Sequence, residues 1–329
     1  VTGVAGQVRW GIVGPANIAR GQFLPALREA GGGRAAVVAS RDLDRAQAFA
    51  AENGVDRGVA DYAAAVESPD VDAVYVALPN SLHAEWTIRA LQAGKAVLAE
   101  KPLCVGAGQT AAVLDAAAAV PGALLWEAFV FPFQAQHQRL VQLLADGAIG
   151  DLTEIVSAFH FHLARPSGNI RLSAALGGGA LADVGCYPIR LGHELFGPQR
   201  DQVATGSAVV DGEVEVDAAA IAAAGARRLV LTCGFRRSPD TFTRVLGDQG
   251  QLHLANPFHP RTADPLTLLR PGADPVTEYP TTDQRSFTAA LRHIHAVLRG
   301  ESAPAHTAAE SALATARTLE AVQAACGLR

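Results

Sequence analysis

Short, wholly apolar runs alternate with alanine-rich stretches of helical period over residues 1–125, and this alternation narrows the possible folds most. Residues 8–13, 35–39, 73–78, 96–99 and 123–126 read as strands. The stretches 18–30, 43–53, 62–66, 83–93 and 107–119 read as the helices between them. A strand that is apolar at every residue is buried on both faces, and helical crossovers cover a parallel sheet in that way. The expectation is an α/β chain opening with a doubly wound parallel sheet.

Beyond Asp151 the period changes. Residues 153–163, 202–210, 214–223, 227–235, 241–246, 252–255 and 266–270 are strand-like, with turn residues such as Asp211-Gly212 between them. Two-residue alternation is clear in Phe159-His160-Phe161-His162. These strands predict a large, mainly antiparallel open sheet, polar on one face or paired there with another subunit. One helix interrupts at 180–196, and a last helix opens on the capping box Thr307-Ala308-Ala309-Glu310 and ends before Gly327. The expected division is a dinucleotide-binding domain over 1–125 and a substrate-binding and oligomerisation domain over 126–329, with residues 1–7 as a loose leader.

Bulk properties exclude several partners. The 329 residues carry a net charge of −5, which provides no electrostatic footprint for nucleic acid. No apolar run reaches the length of a membrane span. Cys104, Cys186, Cys233 and Cys326 show no paired spacing, so neither a disulfide framework nor a zinc site is expected, and reduced thiols in a cytoplasmic protein are the simplest account. His160 and His162 share a strand face but lack a third ligand spaced near them, so no metal is expected.

The first strand runs into Gly14-Pro15-Ala16-Asn17-Ile18-Ala19 and then a helix. This is G-x-G-x-x-G/A with alanine in the middle position: Gly14 allows the tight turn, Ala19 close packing, and the helix start offers N–H groups to a pyrophosphate. The second strand ends at Ser40-Arg41, with Arg45 one turn further on. A hydroxyl and two guanidiniums suit the 2′-phosphate of NADP(H), which is preferred to NAD(H), although Asp42 offers the carboxylate that NAD(H) uses.

Other candidates lie at the following strand ends. Leu78 and Asn80 close the fourth apolar run, with Asn80 able to cap the next helix and His83 at its start. The fifth delivers Glu100-Lys101-Pro102. In the second half, Gly177-Gly178-Gly179 enters a helix carrying Asp183 and Tyr187, four residues apart and so on one face. Three glycines together are costly unless the backbone passes something closely. Taken singly, Lys101 reads as a surface lysine, Tyr187 as a half-buried helix tyrosine and Asp183 as a cap. Taken together, they offer a phenol that a nearby ammonium makes more acidic and that can protonate a carbonyl oxygen.

The ensemble resembles the glucose–fructose oxidoreductase / inositol dehydrogenase / rhizopine-catabolism family over nearly the whole chain. The resemblance rests on Trp10-Gly11-Ile12-Val13-Gly14 with Ile18-Ala19, Ser40-Arg41, Glu100-Lys101-Pro102, Gly147-Ala148-Ile149-Gly150 and the block from Gly177 to Pro188. It implies a Rossmann domain followed by an α/β domain with a large open sheet, and a catalytic Lys101. Asp183 and Tyr187 then occupy the family's D-x-x-x-H positions. Tyrosine replaces the histidine, as in the branch that holds dihydrodiol dehydrogenases and sugar ketoreductases. Gly168-Asn169-Ile170-Arg171 and Tyr187-Pro188-Ile189-Arg190 look most like nucleotide-sugar 3-ketoreductases, which reduce a TDP-linked 3-keto-hexose with NADPH. Arg171 is then a substrate-contact candidate alongside Lys101, Asp183 and Tyr187. The alternatives are a dehydrogenase of free aldoses or trans-dihydrodiols, and, from another class, a non-catalytic NADP-binding regulator. A homodimer or homotetramer through the second sheet is expected.

Overall fold

A computed structural model describes residues 3–164, 168–198 and 203–328. The chain forms two compact units: one runs to Val130 and takes in Gln284–Glu310, the other comprises Phe131–Asp283 and the segment from Ser311 onward. The first unit therefore extends past the expected boundary at 125 and also claims a segment that the sequence reading leaves in the second part. Of the expected leader, Val1 and Thr2 lie outside the described residues, while the amides of Gly3 and Val4 donate to the Leu298 carbonyl at 2.8 and 3.1 Å.

The first unit is built on β1 (Val8–Val13), β2 (Gly33–Ser40), β3 (Arg57–Ala60), β4 (Ala73–Val76), β5 (Ala96–Ala99) and β6 (Leu125–Glu127), paired in the order β3-β2-β1-β4-β5-β6. Every pairing is parallel. This order reverses direction between β1 and β4, the point at which doubly wound sheets bind their ligands. Ala-Val-Tyr-Val and Ala-Val-Leu-Ala, in β4 and β5, are buried at every residue, as two-sided burial requires. The crossovers are α1 (Leu24–Ala30), α2 (Leu43–Asn53), α3 (Tyr62–Val66), α4 (His83–Gln92) and α5 (Gly106–Ala119). The first crossover begins its helix at Asn17 and passes through a π turn at Ala19–Phe23 before α1. β3 has no apolar run to announce it, because it is a partly exposed edge strand.

A helix at Ser286–Leu298, absent from the sequence reading, completes this unit. Its buried His295 takes the Trp10 indole N–H on Nε2 at 3.0 Å and donates from Nδ1 to the Gly31 carbonyl at 2.8 Å. An indole only donates, so these partners fix a neutral imidazole with its proton on Nδ1. Burial holds its pKa down to about 4, and the same cause holds His193 at about 4. Between an ordinary histidine pKa of about 6.5 and these native values, the unfolded chain binds more protons than the folded one. Stability from this source is complete above about pH 6.5 and is lost as pH falls toward 4. Thermal melts across that window are expected to show a falling midpoint, with a shallower slope in His295→Gln.

The second unit carries β7 (Leu152–His162), β8 (Val203–Asp211), β9 (Val214–Ala224), β10 (Arg227–Gly234), β11 (Arg236–Gly247), β12 (Gln251–Ala255), β13 (Leu266–Leu269) and β14 (Val276–Glu278). Their order is β14-β13-β12-β11-β7-β10-β9-β8, antiparallel except for the β7–β10 pair. The expected strand from 202 begins at Val203, and Gln202 lies outside the described residues. β11 starts five residues earlier than its apolar alternation, in exposed Arg236–Asp240, where the register with β7 shifts. The helices are α6 (Ala135–Ala145), which the sequence reading lacks, α7 (Cys186–Phe196), and the last helix, Ala308–Ala325, which crosses from one unit to the other along the chain. The Glu310 side chain of the expected capping box lies outside the described residues. One sheet face packs Val216, Leu229, Leu231 and Cys233 against Leu181, Val184 and Ile189. Elsewhere on the sheet Val203, Val209 and Ile221 are exposed. No described helix is long and apolar enough to cross a membrane.

Candidate active site

In the first unit the candidates gather at the carboxyl ends of consecutive strands. Gly14 follows β1 with φ +101°, and a Cβ there would lie 2.7 Å from the Ala77 carbonyl oxygen and 2.9 Å from Leu78 Cδ2. The glycine is thus demanded by the close passage of the chain leaving β4, in addition to its backbone angle. The Ala16 amide donates to the Gly14 carbonyl at 2.9 Å, and Ala19 is wholly buried, as close helix–strand packing requires. Pro15 and Ala16 are partly exposed, and Asn17 and Ile18 are exposed at the helix start.

At the end of β2, Ser40 is buried and its Oγ accepts the Asp42 amide at 3.2 Å. Asp42 spends its carboxylate as the N-cap of α2, accepting the Arg45 amide at 3.2 Å. The Arg45 guanidinium donates to the Pro15 carbonyl at 3.4 Å, which brings it beside the glycine turn, and Arg41 is exposed. The acid that an NAD(H) site would use is therefore engaged in capping, while Arg45 stands beside the turn and Arg41 is exposed at the end of β2.

Polar side chains anchor both ends of the turn that presents Lys101. The Tyr75 hydroxyl, from β4, donates to Glu100 Oε1 at 2.5 Å, and Glu100 Oε2 accepts the Lys101 amide at 3.3 Å. The Leu103 amide donates to Glu127 Oε1, at the end of β6, at 2.7 Å. His83 is wholly buried, with Nδ1 2.9 Å from the Pro102 carbonyl and Nε2 2.8 Å from the Leu78 carbonyl. Burial holds the ring below its ordinary pKa, so it is neutral and can donate from only one nitrogen; the other is a close polar contact. With both nitrogens facing backbone carbonyls, His83 ties two strand-end loops together. Asn80 does not cap α4 either. It opens a 3-10 turn, Asn80–Leu82, and Leu82 holds the N-cap position. Leu78 is buried, and Lys101 is partly exposed. The Cys104 thiol is pushed up to about 12, first by burial and then by the Glu127 carboxylate. All four cysteines are free thiols.

In the second unit the three glycines have a local cause. Gly177 is left-handed at φ +73°, and a Cβ on Gly178 would lie 2.6 Å from the Arg171 carbonyl oxygen. Gly179, at φ +110°, lies hard against the Glu215 carboxylate. Glu215 is buried, accepts the Leu181 amide at 2.9 Å, and is pushed above its ordinary pKa by that burial. This carboxylate caps, from a neighbouring strand, the π turn Leu181–Gly185 that carries Asp183. Asp183 pairs with Arg171, Nε to Oδ2, at 2.7 Å, so Arg171 engages its own unit's carboxylate. Tyr187 is only 6% exposed, and its ring is surrounded by Phe159 at 5.3 Å, Phe258 at 5.2 Å and His259 at 5.6 Å between centroids. Asn256 shapes the loop bearing the last two: at φ 48° it donates to the His259 carbonyl and, at 2.9 Å, to Asp264 Oδ2. His160, set aside as a metal ligand, places Nε2 2.9 Å from Thr232 Oγ1.

The sequence reading missed Tyr75, Glu127, Glu215 and His259. Tyr75 sits inside a strand read as an apolar run, and Glu127 is one residue past the run at 123–126. Glu215 is one acid within a strand, and only the run Asn256-Pro257-Phe258-His259-Pro260 carries a turn signal.

Residues 8–127 match the sequence profile of an oxidoreductase family with an NAD-binding Rossmann fold, and residues 137–253 match the GFO/IDH/MocA C-terminal domain. A dTDP-3,4-didehydro-2,6-dideoxy-alpha-D-glucose 3-reductase from Actinomadura kijaniata is 45% identical over 186 residues, 56% of this chain and 55% of that one. The aligned stretch thus spans about half of that relative. A D-xylose 1-dehydrogenase (NADP(+)) from Haloferax volcanii is 32% identical over 326 residues, 95% of each chain. The crystal structure of a 3-ketoreductase from Actinomadura kijaniata in complex with NADP and TDP-benzene superposes with a TM-score of 0.87 at 32% identity, covering 97% of this chain and 98% of that one.

Proposed function

We propose that this chain, which belongs to the GFO/IDH/MocA oxidoreductase family, is an NADP(H)-dependent ketoreductase of a nucleotide-linked 3-keto-sugar. The observation that carries the reading is the carboxyl edge of the six-stranded sheet. The ends of β1, β2 and β5 there offer a glycine turn, a serine with two arginines, and an anchored lysine. The first unit is the NADP-binding one, and the second binds substrate and pairs with another copy through the open face bearing Val203, Val209 and Ile221.

The residues fit the cofactor. Gly14 to Ile18 would receive the pyrophosphate, and Ser40, Arg41 and Arg45 the 2′-phosphate, with Leu78 and Asn80 lining the crevice. When bound, NADPH supplies the hydride. Lys101 holds and polarises the ketone oxygen, favouring the charge that develops on it. Tyr187 gives that oxygen its proton, leaving an alcohol. Asp183, paired with Arg171, holds the neighbouring substrate hydroxyl. Relatives named for dTDP-sugar 3-reduction favour the nucleotide-sugar substrate; the xylose dehydrogenase keeps free aldoses as the second reading.

The test is NADPH consumption across TDP-linked keto-hexoses, free aldoses and trans-dihydrodiols, repeated with NADH. Turnover is expected on the TDP-linked ketone with NADPH preferred, and Arg41→Ala is expected to raise KM for NADPH far more than for NADH. Activity confined to free aldoses or dihydrodiols overturns the substrate assignment, and equal effects of Arg41→Ala on the two cofactors overturn the cofactor assignment.

A further inference from the structure

We infer that Glu127 is a positioning residue for Lys101, acting through the Leu103 amide. The inference rests on the assignment of Lys101 above and adds a residue that neither the motif nor its immediate neighbours contain. The ladder of β5 with β4 and β6 runs through Ala99, and Lys101 follows in the turn beyond it. Three polar groups of that turn are held by side chains from three places. Glu100 accepts the Lys101 N–H, steadied by the Tyr75 hydroxyl; His83 meets the Pro102 carbonyl; Glu127 accepts the Leu103 N–H.

Of the three, Glu127 is the only one delivered by the adjacent strand. Register pairs it with Ala99, directly before Glu100. It is 5% exposed, and its 2.7 Å bond is shorter than the 3.3 Å bond to Glu100 and the 2.9 Å contact of His83. A carboxylate accepting an amide N–H at that distance forms a charge-assisted bond, stronger than a neutral one. Its charge is also felt by the thiol next along the chain, Cys104. Glu127 thus fixes the exit of the turn as Glu100 fixes its entry, and the Lys101 side chain projects from a backbone fixed at both ends. A group that orients a reacting oxygen needs such a frame, because a misplacement of about 1 Å costs on the order of a hundredfold in rate.

The experiment compares Glu127→Ala, Glu127→Gln and Glu127→Asp with Lys101→Ala in the full-length protein, well below each melting temperature. Readouts are kcat and KM for NADPH and the TDP-linked ketone, and the rate of Lys101 modification by trinitrobenzenesulfonate, followed by peptide mass spectrometry. Glutamine keeps an acceptor oxygen at the same reach, whereas aspartate keeps the charge and withdraws the oxygen by one carbon. Positioning predicts that Glu127→Ala lowers kcat on the order of a hundredfold with KM for NADPH nearly unchanged. It also predicts a changed Lys101 labelling rate, and glutamine retaining more activity than aspartate. Wild-type kcat and labelling in Glu127→Ala, with Lys101→Ala inactive, overturn the role of Glu127 alone. Wild-type turnover in Lys101→Ala overturns the assignment of Lys101 and the positioning role with it. If the alanine variant does not fold, the glutamine–aspartate order decides, and aspartate equal to or better than glutamine overturns the inference.

Discussion

Lys101→Ala is expected to reduce ketone turnover by about a hundred- to a thousandfold, the usual cost of removing one preorganised charge from a developing oxyanion. The structure makes this substitution informative because other side chains hold the backbone of the turn. Its backbone bonds run to Glu100, His83 and Glu127, all of which remain in the variant. The phosphate turn is also set elsewhere, by Gly14 against the carbonyl of Ala77. NADPH affinity and the melting temperature are therefore expected to stay close to wild type while kcat falls. Stopped-flow measurement of NADPH oxidation, with cofactor affinity read separately by fluorescence, checks both halves. A variant that turns over the TDP-linked ketone at the wild-type rate would remove Lys101 from the mechanism. Loss of cofactor binding alongside activity would make its role one of binding.

Much of this framework is legible in the residues, and the illegible parts have physical causes. Val8–Val13, Ala96–Ala99, Leu43–Asn53 and Tyr62–Val66 fall where the apolar periods put them, since two-sided burial and N-caps leave strong local signals. β3 and β14 are short edge strands with partly exposed residues, and edges carry no such signal. The helix at Ser286–Leu298 belongs to the first unit because of contacts such as Trp10 to His295, 285 positions apart, which no local period encodes. The same holds at the site. Gly14, Lys101 and Tyr187 are visible as motif members. Glu127 and Glu215 become meaningful only when the fold places each against a distant amide, and His83 changes from a crevice-facing candidate to a tie between loops once both its nitrogens are accounted for. Asp42 illustrates the intermediate case. Its position after β2 allows either capping or ribose binding, and the Arg45 amide claims it.

Tyr187→Phe is expected to lower kcat by about a hundred- to ten-thousandfold, the range for removing a positioned general acid. The change is unusually clean because Phe159, Phe258 and His259 contact the ring, and phenylalanine preserves that ring. The melting temperature should accordingly stay near wild type. Tyr187→Ala, by contrast, empties a nearly buried aromatic site and should cost about 3–5 kcal/mol of stability. The pair of variants therefore separates hydroxyl from packing. If the phenol supplies the proton, Tyr187→Phe also loses the alkaline limb of the pH–rate profile, because no group remains whose deprotonation stops the reaction. Retention of that limb together with wild-type kcat would assign the proton to another donor, and His259 against the same ring would be the first residue to substitute next.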